Sequence, residues 1–478
     1  MSDLSSGLVD RLRGLFETAD YTVDGVAERL GSRANAALAR NETTLAYRRT
    51  SGGDPLDTLI RLFLLQRPVP GSLLDKEILH ELLALGIIVA QGDEVVAAID
   101  VRPFAEDDRA WWVVADPTPG LDGRRAPIRS DYVLGIAPAS LSLVKLTVPL
   151  KVESALDLGT GCGIQALHLS ERANHIVATD VNPRALQLTR WTAALNRVEL
   201  DVRDGSLYEP VEGQRFDLIV SNPPYVIAPP SDGKLTYRET GFVGDAVVEQ
   251  LVRQAPQHLT DGGWCQLLAN WTCVRGQDWQ ERIAGWTGDR SSWAVQREQL
   301  DPAEYVELWL RDAGLHGRPE YTQRYDEWLA WLDDQQVEAI GMGWITLHNV
   351  PGTTDAEAWP YEIEQPIGPH VLHRFQRQEG VPDDLTGLHL KLADDVVQET
   401  AGPPGAEDPA TIVLRRQRGM RRAEQADTVL AGFVGACDGD LTTGQILDAL
   451  ATILDRDNLY AEYLPQIRNL VVEGFLDY

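Results

Sequence analysis

Asn222-Pro223-Pro224-Tyr225 is a short run whose residue types suit one task. Proline has no backbone N–H, so two in succession stop a strand ladder, stiffen the loop and leave carbonyls free to face outwards. An asparagine side-chain oxygen beside such a carbonyl can accept both hydrogens of a planar NH2 group. A tyrosine ring can then lie on the plane to which that nitrogen is conjugated. An amide or aryl amine is a weak nucleophile because its lone pair is delocalised. Holding both N–H bonds favours a more tetrahedral nitrogen, and the hold tightens as positive charge grows there, so it acts on the transition state more than on the ground state. Asn222, Pro223 and Tyr225 are the candidate catalytic residues; the bland alternative is a proline-rich strand terminator.

A second run, Asp157-Leu158-Gly159-Thr160-Gly161-Cys162-Gly163, follows an apolar segment that begins at Val152 and precedes the helical-looking stretch from Ile164 to Ser170. Strand, glycine turn and helix together bring backbone amides up to a ligand at a helix N-terminus. The spacing is G-x-G-x-G, distinct from the G-x-G-x-x-G of dinucleotide sites. Asp157 ahead of the turn would repel a pyrophosphate and attract an ammonium, which favours S-adenosylmethionine, a molecule with an ammonium, a sulfonium and no phosphate. Asp180, about 20 residues further on at the end of the next strand, is placed to accept hydrogen bonds from both ribose hydroxyls. Asp204, ahead of Gly205 and Ser206, is placed to accept a bond from the adenine amino group, although a plain Asp-Gly turn fits those residues as well. The candidate cofactor-binding set is therefore Asp157, Gly159, Gly161, Gly163, Asp180, Asp204 and Asn222. Cys162, Cys265, Cys273 and Cys437 lack metal-ligand spacing, so neither a metal site nor a disulfide framework is expected.

These residues must be held by strands and helices. Strands are expected at 152–158, 175–179, 199–202, 216–221, 264–268 and 292–296, with helices at 164–170, 184–196, 245–258, 303–313 and 325–331, and a last strand at 343–350. Such alternation implies an α/β fold, a doubly wound Rossmann-like parallel sheet with ligands at the carboxyl ends of its strands. Asp157, Asp180, Asp204 and Asn222 all fall at such ends. Ahead of the sheet, the apolar spacing of Leu8, Leu12 and Phe16, the cap at Thr22, and the groups at 54–66 and 73–85 read as helices. A hairpin over 87–90 and 95–101 follows, giving a winged-helix-like pattern, and 111–115 is a strand. Behind the sheet, 351–369 reads as a Pro/Gly/acidic linker. A C-terminal α+β part then has strands at 388–399 and 411–416 and helices at 371–378, 426–436, 443–454 and 464–472. The expected domains are 1–128, 129–352 and 353–478.

The sequence resembles the class I S-adenosylmethionine-dependent methyltransferases, and within them the release-factor glutamine N5-methyltransferase family. The likeness rests on Ala155-Leu156-Asp157-Leu158-Gly159-Thr160-Gly161-Cys162-Gly163-Ile164, Ala178-Thr179-Asp180-Val181-Asn182, and Phe216 through Val226, and covers about residues 130 to 350. It implies that the glycine loop and Asp180 hold the cofactor and that Asn222 and Pro223 hold a substrate amide. The same tetrapeptide occurs in adenine-N6 methyltransferases of DNA and RNA, so it describes the chemistry of the target nitrogen rather than the macromolecule. A less characterised actinobacterial-type group with a three-part layout is similar as well.

The partner expected is a macromolecular substrate, either a protein such as a translation factor or an RNA. The net charge of −29 disfavours a broad phosphate-tracking surface and so weighs towards protein. The winged-helix-like flank and the dense run Arg415, Arg416, Arg418, Arg421 and Arg422 weigh towards nucleic acid, although a charged strand edge accounts for the arginines equally. Arg238, within Tyr237-Arg238-Glu239, could meet a phosphate or carboxylate or serve in a surface ion pair. A regulatory protein that merely keeps the pocket would not need Asn222. With no apolar run long enough for a bilayer and no basic start followed by an apolar core, no membrane partner is expected and the expected location is cytoplasmic.

Overall fold

A computed structural model describes residues 3–106, 108–123, 129–229, 244–404 and 409–478. The chain divides into two compact units, one of Met1–Val144 with Lys151–Ala358 and one of Lys145–Leu150 with Trp359–Tyr478.

The first unit is built on an eight-stranded sheet: β1 (Val152–Leu158), β2 (Ala173–Asp180), β3 (Asp201–Asp204), β4 (Phe216–Ser221), β5 (Leu259–Val274), β6 (Arg290–Leu300), β7 (Val337–Pro351) and β8 (Thr354–Ala358). The order is β3-β2-β1-β4-β5-β7-β6-β8. The chain starts in the middle at β1, winds outwards through β2 and β3, then returns to the other side of β1 with β4. β1 and β4, adjacent and parallel, therefore flank the place where the winding direction reverses, which is where open α/β sheets bind ligands. Helices α1 (Ile164–Leu169), α2 (Pro183–Asn196), α3 (Ala246–Gln254), α4 (Trp279–Thr287), α5 (Pro302–Asp312) and α6 (Glu320–Asp334) connect these strands. Local chemistry sets several helix starts: Asn182 caps α2 ahead of Pro183, and Asp301 caps α5 ahead of Pro302.

Two features of the sheet depart from the sequence expectation. The last long strand, β7, runs antiparallel to both β5 and β6. Its residue pattern marks it as a strand but carries no direction. The segment read as the start of a linker contains β8, which pairs parallel to β6 at the sheet's edge. Thr354-Asp355-Ala356-Glu357-Ala358 lacks apolar alternation because the edge position buries neither face.

Ahead of the sheet, helices Ser6–Thr18, Val23–Leu38 and Lys76–Ala84 pack with a three-stranded sheet of Val69–Pro70, Glu94–Ala97 and Ile88–Gln91. The strand expected at 95–101 is two strands. The first ends at Ala97, and a second, Asp100–Glu106, pairs instead with Arg109–Ala115. That second hairpin is bound to α2, with Trp112 N donating to Asn196 Oδ1 (2.9 Å) and Val114 N to Thr192 Oγ1 (3.0 Å). Leu8, Phe16, Tyr21 and Phe63 share one hydrophobic core with Ile164, Leu188 and Trp191 of α1 and α2.

The second unit packs helices Gly368–Gly380, Thr428–Gly435, Thr443–Leu454 and Leu459–Val472 with an antiparallel sheet of Val396–Ala401, Thr411–Arg416 and Ala423–Ala426. Its core includes Phe433, Tyr463, Ile467, Leu470 and Phe475. The strand expected at 388–399 is divided, Lys391–Leu392 pairing with Leu476–Asp477 and the rest joining the three-stranded sheet. The final helix begins at Leu459, before Pro465, which stands within it. Among the described residues no helix is long and apolar enough to cross a membrane.

Candidate functional site

The glycine turn depends on backbone conformations that side chains resist. Gly159, Gly161 and Gly163 have φ of +77°, +58° and +82°, the left-handed region open to glycine at little cost. At Gly163 a Cβ would also come within 3.3 Å of Thr189. The turn is tied down from three sides. Gly159 N and Thr160 N both donate to Thr179 O of β2, at 2.9 Å each. Gly161 N donates to Asp180 Oδ2 (3.0 Å), and Thr189 Oγ1 of α2 donates to Gly161 O (3.0 Å).

Asp157 is fully buried. Its Oδ2 accepts from Thr160 Oγ1 (2.6 Å) and from Ala166 N in α1 (3.1 Å), so the carboxylate fastens the turn to the first helical residues. Among the described residues its Oδ1 has no hydrogen-bond partner. Burial, reinforced by the nearby charge of Asp180, pushes this carboxyl up to about 7, against the hydrogen bonds that favour ionisation. Asp180 is also raised by burial, while its Oδ1 accepts from Asn182 N (2.9 Å).

A cavity of about 200 Å³ opens at the switch point between β1 and β4. Gly159, Gly161, Asp180, Asn222 and Pro223 line it together. Asp157 and Gly163 do not: Asp157 is buried, and Gly163 caps α1. Asp204 is exposed and off the cavity wall, to which the next residues, Gly205, Ser206 and Leu207, contribute instead. Tyr225, expected to stack on a substrate, is largely buried against the core cluster that holds Leu156 and Leu267 and is not part of the wall. Burial raises its hydroxyl to about 12.

Sequence reasoning missed a second wall. Tyr132 to Gly135 and Ser140, from the segment ahead of β1, close the cavity. Asp116 holds that segment: its Oδ2 accepts from Val133 N (2.8 Å), and its carboxylate pairs with Arg184 of α2 (Nε–Oδ1 2.8 Å), both side chains being buried or nearly so. Asn182 adds a bond from Nδ2 to Asp131 O (3.0 Å). Ser140 touches both halves of the site, its carbonyl accepting from Gln165 Nε2 (2.7 Å) and its hydroxyl from Asn222 Nδ2 (3.4 Å). A lone serine after Pro138-Ala139 carries no signal that would have revealed this.

The other candidates fall elsewhere. Arg238 and its neighbours lie outside the described residues. In the second unit four of the five arginines are spent internally: Arg415 pairs with Glu399, Arg416 with Asp395, Arg421 with Glu362, and Arg422 with Glu424 and Glu473. Among the described residues no cluster of three or more His, Cys, Asp or Glu side chains could hold a metal ion.

Comparison with known proteins places this geometry. Residues 136–273 match a family model described as a methyltransferase small domain, and residues 18–98 match a domain of unknown function, DUF7059. A provisionally named protein N5-glutamine methyltransferase of Methanocaldococcus jannaschii is 31% identical over 137 residues, 28% of this chain and 69% of that relative. The chain belongs to the class I S-adenosylmethionine-dependent methyltransferases. A release factor glutamine methyltransferase of Xylella fastidiosa is 39% identical over 24% of this methyltransferase and 46% of that protein. The ribosomal RNA small subunit methyltransferase C of Yersinia enterocolitica is 31% identical over 36% and 46%. The chain thus spans less than half of these two relatives.

The methyltransferase's residues fit its donor. Asp157, off the cavity wall, keeps a buried carboxylate oxygen with no hydrogen-bond partner among the described residues, a group whose charge is costly to bury without a compensating cation. Asp180 offers a carboxylate at the cavity wall, and the half-exposed apolar side chains of Leu134 and Val181 line the same space.

Proposed function

We propose that this methyltransferase acts on a planar NH2 nitrogen of a macromolecule, and that the nitrogen is the side-chain amide of a protein glutamine. The observation that carries this reading is the presence of Asn222 and Pro223 on the same cavity wall as Gly159, Gly161 and Asp180. The bound donor supplies an electrophilic methyl group on a sulfonium. Asp180 would hold it through the ribose, and Asp157 would offset its positive charge from beneath the turn. Asn222 Oδ1 and the Pro223 carbonyl accept the two N–H bonds of the target amide. That hold releases the nitrogen lone pair from conjugation and strengthens as positive charge develops there. Alignment of the nitrogen by the same two acceptors supplies the orientational part of catalysis.

A protein substrate is supported by the two relatives named for glutamine methylation. It is supported too by the net charge of −29 and by the pairing of the C-terminal arginines with acidic side chains of their own unit. A second reading, methylation of adenine N6 or guanine N2 in RNA or DNA, is favoured by the 181-residue match to the ribosomal RNA methyltransferase. Transfer of a tritiated methyl group into a cell lysate, followed by separate protease and nuclease treatment, distinguishes them. Protease-sensitive label with methylglutamine on hydrolysis is the expected result; nuclease-sensitive label would replace the first reading by the second.

A further inference from the structure

The tetrapeptide cannot fix its own backbone. Neither Pro223 nor Pro224 has an N–H, and residues 222–229 form no regular element. Upstream, the chain is secured at Ser221, whose Oγ donates to Leu158 O (2.7 Å) and whose strand is in register with Leu267 of β5. Downstream, the chain is secured at Ile227, five residues past Asn222. There both backbone polar groups are taken up by aromatic side chains. Ile227 N donates to Tyr305 Oη (2.9 Å), and Trp328 Nε1 donates to Ile227 O (3.0 Å). Ile227 and Tyr305 are fully buried and Trp328 is 5% exposed. Tyr305 Oη also accepts from Asn270 Nδ2 of β5 (3.1 Å), and the Tyr305 and Trp328 rings meet edge to face at 6.4 Å.

Tyr305 and Trp328 belong to α5 and α6, the helix pair between β6 and β7. We propose that they are positioning residues for methyl transfer, fixing the exit of the tetrapeptide so that Asn222 and the Pro223 carbonyl keep the spacing that a planar NH2 group requires. This rests on the reading of Asn222 and Pro223 given above. The physical case is one of buried alternatives. Without the tyrosine hydroxyl, the Ile227 N–H loses its acceptor inside an apolar cluster that includes Val226, Val306, Leu310 and Leu332, a state costly enough to drive the loop to another path. A displacement of about 1 Å at reacting atoms is worth on the order of a hundredfold in rate.

The test uses the full chain with Tyr305→Phe, Trp328→Phe, Asn270→Ala and Asn222→Ala. Amide hydrogen exchange at Ile227 and tritiated methyl transfer into lysate are read together with calorimetric donor affinity. Tyr305→Phe and Trp328→Phe are expected to lower kcat about tenfold or more, with donor affinity unchanged. The double variant should be little worse than either single one, because both act through Ile227. Exchange at Ile227 should speed up in Tyr305→Phe while exchange in β1 stays slow. Slow exchange at Ile227 in Tyr305→Phe, or transfer within about twofold of the parent, would overturn the inference. So would Asn270→Ala reproducing the whole loss while Trp328→Phe shows none, since that assigns the effect to β5. If Asn222→Ala transfers normally, the reading of the tetrapeptide itself fails. If Asn222→Ala is inactive and Tyr305→Phe is not impaired, only the present inference fails.

Discussion

Ser140 Oγ lies 3.4 Å from Asn222 Nδ2, and the Ser140 carbonyl lies 2.7 Å from Gln165 Nε2. One residue outside the sheet thus touches the candidate catalytic amide and the helix that follows the glycine turn. The bond to Asn222 engages the amide nitrogen, not the amide oxygen proposed to accept from a substrate. Ser140→Ala removes only the hydroxyl bond, since Gln165 uses the backbone. It should lower kcat by a few-fold, about what one neutral hydrogen bond is worth, with donor affinity unchanged by calorimetry. An equal loss in donor affinity would place Ser140 in cofactor binding.

Asn222→Ala deletes one of the two acceptors proposed for the target amide, and the Pro223 carbonyl alone cannot hold both amide hydrogens. Transfer should fall by at least about a hundredfold, the scale of losing one preorganised transition-state contact. Donor binding should survive, and a matching loss of donor affinity would contradict the assignment.

The glycine turn was legible because its requirement is local. Three glycines at alternate positions next to an apolar strand describe a backbone that other residues resist, and the φ values of Gly159, Gly161 and Gly163 are all positive. Asp180 was legible by its distance from that turn. The orientation of Asp157 was not: sequence places a carboxylate beside the turn but cannot say that it lies beneath it, spent on Thr160 and Ala166. Nor could sequence pair Asp116 with Arg184, 68 residues apart, or reveal that Tyr305 and Trp328 secure Ile227. Long-range contacts of single polar side chains leave no periodic trace.

Asp180→Ala should weaken donor binding about tenfold or more, the scale of a lost charge-assisted contact. The same change removes the acceptor for Gly161 N, so part of the loss comes through the turn. Asp180→Asn keeps an acceptor oxygen and should recover part of the affinity. An unchanged dissociation constant in Asp180→Ala would remove this residue from the site.

Asp157 is expected to make donor binding depend on pH. Its carboxyl is raised by burial to about 7 in the folded protein, from an ordinary value of 3.8. A raised acid contributes stability that is present below its unfolded value and is lost as pH rises through its folded value. Ligand-free protein should therefore lose stability between these two pH values, and Asp157→Asn should flatten the slope, leaving the part due to Asp180, which burial also raises. A cationic donor favours the ionised form, so its affinity should rise from about pH 6 to about pH 8 with release of a proton. Calorimetry in buffers of different ionisation enthalpy reads that proton directly. A pH-independent affinity in the parent protein would show that Asp157 does not sense the donor's charge.

Asp116→Ala probes the second wall of the cavity. It strands the guanidinium of Arg184 and the Val133 N–H, both of which Asp116 now satisfies. Breaking a buried pair on one side costs about 3–5 kcal/mol, so the midpoint of chemical unfolding should fall clearly. Val133 and Leu134 line the cavity, so donor affinity measured well below that midpoint should fall as well. The double change Asp116→Leu with Arg184→Met removes both charges together and should recover most of the stability but not the hold on Val133. Recovery of stability with donor affinity still weak separates the wall from the ion pair; recovery of both would show that the Asp116–Val133 bond does nothing for the cavity.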